Sequence, residues 1–265
     1  MPTLSQIAVH PIKALDPVDR ETAPITAAGG LDGDRAYAVV TEEGDYVNGK
    51  RTAAVHRLRA SVDLDAGHVT LRVQDQEAEH RFHLDRDRAA LEAWLSDYFE
   101  TPVSLSVGQG GTQTDSAVYG DGTRTGPTLI SAATLREVAS WYEGMDATEV
   151  RLRMRPNLVV EGVPAFWEDR LAAGRRVRIG DVTLAGVKSV PRCVVPTRDP
   201  HTGAVTPDFR ETFVEKRAET APEWTGPATF EDGYYRLMAV TRIPEPERDG
   251  ALDVGDPVRL ADADA

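Results

Sequence analysis

Apolar residues recur along the chain with two different periods, and those periods divide it into elements. Through the first third they alternate over short runs. Ser5–Val9, Ala36–Val40, Ser61–Leu64 and Val69–Val73 are rich in valine and bounded by Gly, Asp or Pro, the mark of antiparallel strands with one buried face. From about Arg86 to Phe99 the spacing changes: Leu91, Trp94, Leu95 and Tyr98 fall on one face of a helix. A strand follows at Val103–Val107. The stretch Gly108–Gly126 is polar and glycine-rich without periodicity, and reads as a linker or a long loop. Ser131–Tyr142 then predicts a helix with Ser131 as N-cap and Leu135, Val138, Ala139 and Tyr142 as its apolar stripe. Strands are expected at Asn157–Glu161, Arg176–Ile179, Thr183–Val187, Tyr234–Arg242 and Pro257–Leu260, with a helix over roughly Asp208–Arg217.

Many strands joined by turns, few helices and no regular βαβ alternation favour a mostly β fold with a few helices (α+β), built on barrels rather than on a doubly wound sheet. At 265 residues the chain has room for two units. The glycine-rich stretch sets the expected boundary, with an N-terminal β-barrel region over residues 1–108 and a second β-barrel domain over 109–262. The closing Ala-Asp-Ala-Asp-Ala reads as a frayed tail.

Charge narrows the function. The formal net charge is −13, and only four of the 30 basic residues are lysines: Lys13, Lys50, Lys188 and Lys216. A lysine-poor, carboxylate-rich surface suits concentrated salt, where repulsion is screened, so a halophile-like habitat is expected. No run of Lys and Arg is long enough to track phosphates, so neither nucleic acid nor an acidic membrane surface is an expected partner. One cysteine excludes an intrachain disulfide and a multi-cysteine zinc site. No signal segment or 18-residue apolar span is evident, so a cytoplasmic protein is expected.

The six histidines show no metal-binding spacing and are read as surface residues. Gly29-Gly30 precedes no Rossmann helix, no Gly-x-Ser-x-Gly elbow is present, and pyridoxal phosphate is not expected. Chemistry concentrates instead around Cys193, which stands between cations and prolines in the run Lys188-Ser-Val-Pro-Arg-Cys-Val-Val-Pro-Thr-Arg-Asp-Pro-His-Thr-Gly203. Lys188 and Arg192 would favour its thiolate, the form that attacks electrophiles or binds a soft metal; the other reading is a buried, inert thiol.

Five short motifs occur in order: Pro11-Ile-Lys13, Gly30-Leu-Asp-Gly-Asp-Arg35, Arg155-Pro-Asn157, Arg192-Cys193 and Asp199-Pro-His-Thr-Gly203. Together they resemble the signatures of the MOSC family, named for the C-terminal domain of molybdenum cofactor sulfurases, and in particular its amidoxime-reducing branch. The resemblance covers most of the chain. It implies a MOSC N-terminal β-barrel region followed by a MOSC domain, a molybdenum–molybdopterin cofactor, and reduction of small N-hydroxylated substrates. Cys193 corresponds to the cysteine that ligates the metal in that branch, which makes it the expected catalytic and metal-binding residue.

The same resemblance implies cofactor-binding roles for Lys13, Arg35, Arg155, Asn157 and Arg192. Lys50 stands where the family often has arginine, with Arg51 beside it as the alternative. Ser131 matches a serine that opens a helix, and a helix N-terminus can itself receive a phosphate. For Arg35 the alternative is a surface pair with Asp32 or Asp34, for Ser131 a plain N-cap, and for Asn157 a brace for the turn after Pro156. Ala14 stands where serine is frequent in the family, and Val-Val-Pro-Thr-Arg follows the cysteine where consecutive threonines are usual.

Relatives with an appended ferredoxin domain carry cysteine-rich C-termini. This chain has none, so electrons are expected from a separate ferredoxin, flavoprotein or cytochrome b5-like partner. The rival expectation is a non-redox cofactor carrier or a sulfur-transfer protein using Cys193. Either way Lys13 and Arg35, with Ser131, Arg155 and Arg192, are expected to line one cleft around the Cys193 sulfur.

Overall fold

The computed structural model describes residues 1–108, 126–172, 174–225, 227–231 and 233–261. Residues 109–125 of the glycine-rich stretch, and all but the first residue of the terminal Ala-Asp-Ala-Asp-Ala, lie outside them.

The N-terminal half runs β1 (Thr3–Val9), β2 (Val18–Arg20), β3 (Thr22–Pro24), β4 (Tyr37–Thr41), β5 (Leu58–Asp63), β6 (His68–Val73), β7 (Glu79–His83), α1 (Arg88–Phe99) and β8 (Val103–Val107). The C-terminal half runs β9 (Thr128–Ser131), α2 (Ala132–Ser140), α3 (Ala147–Met154), β10 (Leu158–Glu161), β11 (Arg176–Ile179), β12 (Val182–Pro191), α4 (Phe209–Glu219), β13 (Arg236–Arg242), β14 (Ala251–Asp253) and β15 (Val258–Leu260). The α+β reading therefore holds: strands dominate and helices are few. The expected helices match α1, α2 and α4 to within a few residues at each end, the usual uncertainty of a fraying terminus.

The main sheet has eight strands in the order β15-β11-β12-β13-β9-β10-β1-β2. All its pairs are antiparallel except β9 and β10, which run parallel because α2 and α3 form the crossover between them. The sheets are not closed barrels. The β15 end of the ladder meets β1, the neighbour of the β2 end, at an isolated bridge between Thr3 and Pro257, flanked by backbone bonds from Leu4 N–H to the Asp256 carbonyl (2.9 Å), Gly255 N–H to the Leu4 carbonyl (2.8 Å) and Val258 N–H to the Pro2 carbonyl (2.9 Å). The N-terminal half carries smaller sheets, β5-β6-β7 and the pair β4-β8. Because β1 pairs with β10 and β2 with β1, the first strands of the chain complete the sheet of the C-terminal half.

Three apolar clusters hold these pieces. One lies on the main sheet around Leu4, Leu129, Leu158 and Leu184; a second packs Leu91 and Leu95 of α1 against Leu58 and Leu71; the third joins α2, α3 and α4 through Val138, Val150 and Phe213. The approach is closest at Gly186 of β12, where a Cβ would fall 2.0 Å from the Leu171 carbonyl oxygen, so only glycine lets the 167–171 turn seat on the sheet. Among the described residues no helix is long and apolar enough to cross a membrane.

Candidate functional site: a cationic cleft at Cys193

Where the small N-terminal sheets meet the main sheet lies a cavity of about 340 Å³. Its wall takes the loop after β1, the 48–59 segment, the end of α3, and the chain leaving β12. Cys193 lies in it, half-buried and unpaired. The loop after β1 is fixed by backbone bonds from Lys13 N–H to the Tyr37 carbonyl (2.8 Å) and from Arg35 N–H to the His10 carbonyl (2.8 Å), which bring two distant motifs side by side. The Arg192 N–H donates to the Tyr235 carbonyl at 2.9 Å and sets the strand end that carries the cysteine.

The backbone is strained here. Of the eight non-glycine residues with positive φ among those described, four line this cavity: Ala14 (72°), Arg35 (51°), Arg155 (57°) and Met238 (71°). Such conformations persist only where the surroundings enforce them, and they gather at ligand sites. Arg155 is the left-handed cap of α3, so the end of the helix aims its side chain into the cleft.

Electrostatics separates this cleft from the rest of the molecule. Lys13, Arg35, Arg155 and Arg192 line it together with Lys50, Arg59, Arg153 and Arg198, and Asp16 is the single carboxylate in the wall among the described residues. That is eight cations against one acid in a chain of net charge −13. Lys13 Nζ lies 3.5 Å over the Tyr46 ring, a cation–π contact that holds the side chain at the wall. The Arg155 guanidinium donates to the Leu15 carbonyl at 2.6 Å, and burial, aided by Arg35, pulls its pKa down to about 10. Burial also lowers Arg192, against the opposing pull of Cys193; its Nη2 donates to the Met154 carbonyl at 3.1 Å while its Nε is buried without a partner.

Arg35 combines both readings: it pairs with Asp34, yet it lines the cleft. His10 lies behind it, with a ring held far below the ordinary histidine range by burial first and then by Arg155 and Arg35. Burial likewise lowers His56. Both rings are therefore neutral, and both correct the expectation of surface histidines, being 1% and 8% exposed. Long-range packing against Asp34 and Gly49 buries them, and no local pattern signals that.

Four expected residues stand apart from the cleft wall. Ser131 is fully buried as the N-cap of α2, accepting from the Thr134 N–H at 3.0 Å, while its own N–H donates to Glu168. Asn157 braces strands: its Oδ1 accepts from the Thr128 N–H (3.1 Å) and its Nδ2 donates to the Ala8 carbonyl (3.0 Å). It touches the wall through Arg35, 3.5 Å away, and through Thr128. Arg51 turns outward to pair with Asp45 at 2.7 Å, so of the adjacent pair it is Lys50 that lines the cleft. Lys188, read as a cation beside the thiol, sits in β12 outside the wall.

Sequence reasoning missed Arg59, Arg153, Arg198 and His56. Arg198 lies inside the quoted run after Cys193 and its spacing was open to view; the others belong to no motif. Tyr235 also escaped notice, although its hydroxyl is buried without a partner and burial near Arg192 and Cys193 pushes it up to about 12.

Among the described residues no group of three or more His, Cys, Asp or Glu is placed to hold a metal ion. A metal bound at Cys193 would therefore bring further ligands on its own prosthetic group. The wall fits such a group: one soft thiol, guanidinium N–H donors without partners, and cations in excess of acids.

Comparison with known proteins identifies the two domains. Residues 1–95 match the family described as the MOSC N-terminal beta barrel domain, and residues 127–259 match the MOSC domain. The chain belongs to the MOSC family. Among curated relatives it is 25% identical to mitochondrial amidoxime-reducing component 1 of Danio rerio, over 96% of this chain and 83% of that one. It is 26% identical to the Homo sapiens component 1 over 97% and 82%. A shorter stretch, 51% of this chain, is 32% identical to component 2 of Rattus norvegicus.

Proposed function

We propose that this protein is a molybdenum-cofactor-dependent reductase of N-hydroxylated compounds, with the Cys193 thiolate as its ligand to the metal. The observation that carries the reading is the convergence of motif cations on that one thiol. Lys13, Arg35, Arg155 and Arg192 come from both ends of the chain into one wall, and an acidic protein would otherwise scatter them among its carboxylates. The names of the relatives, amidoxime-reducing components, support the same substrate class.

In this reading Lys13, Arg35 and Arg155 hold the anionic end of the pterin with charge-assisted hydrogen bonds. Arg192 stabilises the neighbouring thiolate. The neutral His10 adds no charge behind Arg35 and Arg155. When bound, the cofactor supplies two-electron chemistry: an N–OH group, two electrons and two protons give N–H and water. The electrons come from a separate donor protein, a reading supported by relatives named as amidoxime-reducing components.

The test is metal analysis of protein made in a host that synthesises the cofactor, followed by benzamidoxime reduction with dithionite-reduced methyl viologen. Molybdenum near one per chain with turnover is expected. Bound molybdenum without turnover would favour the carrier or sulfur-transfer alternative, and neither would overturn both.

A further inference from the structure

The motif cations do not account for all the charge in the cleft. Arg153 is fully engaged, holding Glu149 at 2.6 Å, Thr206 at 2.9 Å and the Pro196 carbonyl at 2.8 Å. Arg59 and Arg198 are different. Arg59 leaves β5 and is steered by Asp16 (3.3 Å), His201 Nδ1 (2.8 Å) and the His56 carbonyl (2.6 Å). Arg198 comes from the run after Cys193, and its Nη1 donates to the Gly203 carbonyl at 3.2 Å. Both line the cavity, and each keeps a buried Nε without a partner.

His56 packs beside both arginines. Its ring is kept uncharged by burial, with Arg198, Arg155 and Arg59 adding to the effect. It is buried against Gly49, where a Cβ would fall 2.5 Å from His56 Nε2. The pair of arginines is thus built into the wall rather than loose at its rim.

A phosphate monoester carries at most about two negative charges, and Lys13, Arg35 and Arg155 already match it, with Arg192 facing the thiolate. Asp16 offsets only one of these two guanidiniums, so the pair leaves net positive charge facing the cavity, which favours a second anion there. The wall near them is apolar at Val55, Val195, Pro17 and Pro200, which suits the carbon body of an organic molecule.

We infer that Arg59 and Arg198 form a second anion subsite in the cleft, and that it receives a carboxylate on the substrate while the N–OH group lies toward Cys193. This rests on the reductase reading of the site. It makes the protein selective for acidic N-hydroxylated compounds over neutral ones.

The test compares 4-carboxybenzamidoxime with benzamidoxime in the holoenzyme and in Arg198→Gln. Arg59 also ties the two halves of the chain together, so Arg198 carries the test and Arg59→Lys is the milder companion. Wild type is expected to favour the acid about tenfold or more in kcat/KM, as the loss of a charge-assisted bond implies. Arg198→Gln should remove that preference with molybdenum content and benzamidoxime turnover unchanged, and Arg59→Lys should reduce it. An equal preference in wild type and Arg198→Gln, or no preference in wild type, overturns the subsite. Loss of molybdenum in Arg198→Gln also overturns it, since the pair would then serve the cofactor's phosphate. Calorimetric binding of the two compounds, without reductant, separates this inference from the reductase reading. If neither compound is reduced but the acid binds more tightly in an Arg198-dependent way, the subsite stands and the reductase reading falls. Equal binding by both proteins removes the subsite.

Discussion

Arg217 of α4 meets Asp169 in a fully closed ion pair, whereas the wall around Cys193 gathers cations of which Arg192 and Arg198 meet no carboxylate among the described residues. The first site is sealed. The Arg217 guanidinium lies 3.9 Å over the Phe166 ring, and Thr225 donates to Asp169 at 3.0 Å. Charge buried there is matched within the chain. Buried N–H groups without a hydrogen-bond partner occur in both places, on Arg217 as on Arg192, Arg59 and Arg198, so what differs is the charge partner: Arg217 has Asp169, and Arg192 and Arg198 meet no carboxylate among the described residues. Desolvating a cation costs several kcal/mol unless a partner compensates. The closed pair therefore belongs to the fold, and the open cluster to something that binds.

The sharpest way to break this contrast is to unpair the closed site. Asp169→Ala leaves Arg217 buried and alone, and should lower unfolding stability by about 3–5 kcal/mol in denaturant titration. Arg198→Gln in the cleft should cost less than about 1 kcal/mol, because that charge has no internal carboxylate to lose. Equal losses would erase the distinction.

Glu168, next to Asp169, sharpens it further. Burial first, and then Asp169, push its carboxyl from an ordinary 4.5 up to about 8. Between those values it is protonated in the folded chain and ionised in the unfolded one, so stability falls as pH rises through that window. Glu168→Gln should then stabilise the protein by on the order of a few kcal/mol near pH ~9 and by little near pH ~5. Unfolding midpoints measured at both pH values check it, and a gain independent of pH would be wrong.

A smaller effect belongs to the cleft. Inorganic phosphate should raise the unfolding midpoint of cofactor-free protein, approaching about 2.7 kcal/mol at a hundredfold excess over its Kd. Chloride at equal ionic strength should not match it. Smallest of all is the exposed Arg136–Glu161 pair, at 2.9 Å with side chains 59% and 46% exposed. Arg136→Ala should change stability by less than about 1 kcal/mol.

Much of this architecture was legible in the chain because its elements carry local signals. The stripe of Leu91 and Leu95 marks α1, and the valine-rich alternation marks β5 and β6. Helix α3 was missed because its face is polar: only Val150 and Met154 are apolar and buried, beside a buried Arg153. Its signal was the capping box, Asp146 accepting from the Glu149 N–H at 2.8 Å. Strands β2, β3 and β14 have three residues each, too few to show a period.

The site divides in the same way. Lys13, Arg35, Arg155, Arg192 and Cys193 stand in recognisable motifs and do converge. Ser131 carries a helix-start pattern that serves a cap and a ligand equally well, and only the fold shows the cap. Arg59 and His56 reach the cleft through the pairing of β5 and the packing of the 198–203 segment against it. Such long-range contacts leave no mark on neighbouring residues.

The central claim is that Cys193 holds the metal, and molybdenum per chain in Cys193→Ala tests it most directly. Cys193 is the only cysteine and is half-buried without a bonded partner, so the substitution should leave unfolding stability within about 1 kcal/mol. The account predicts molybdenum near one per chain in the wild type and none above background in a folded Cys193→Ala variant, with benzamidoxime reduction lost. A folded variant that keeps its molybdenum and its turnover would contradict it.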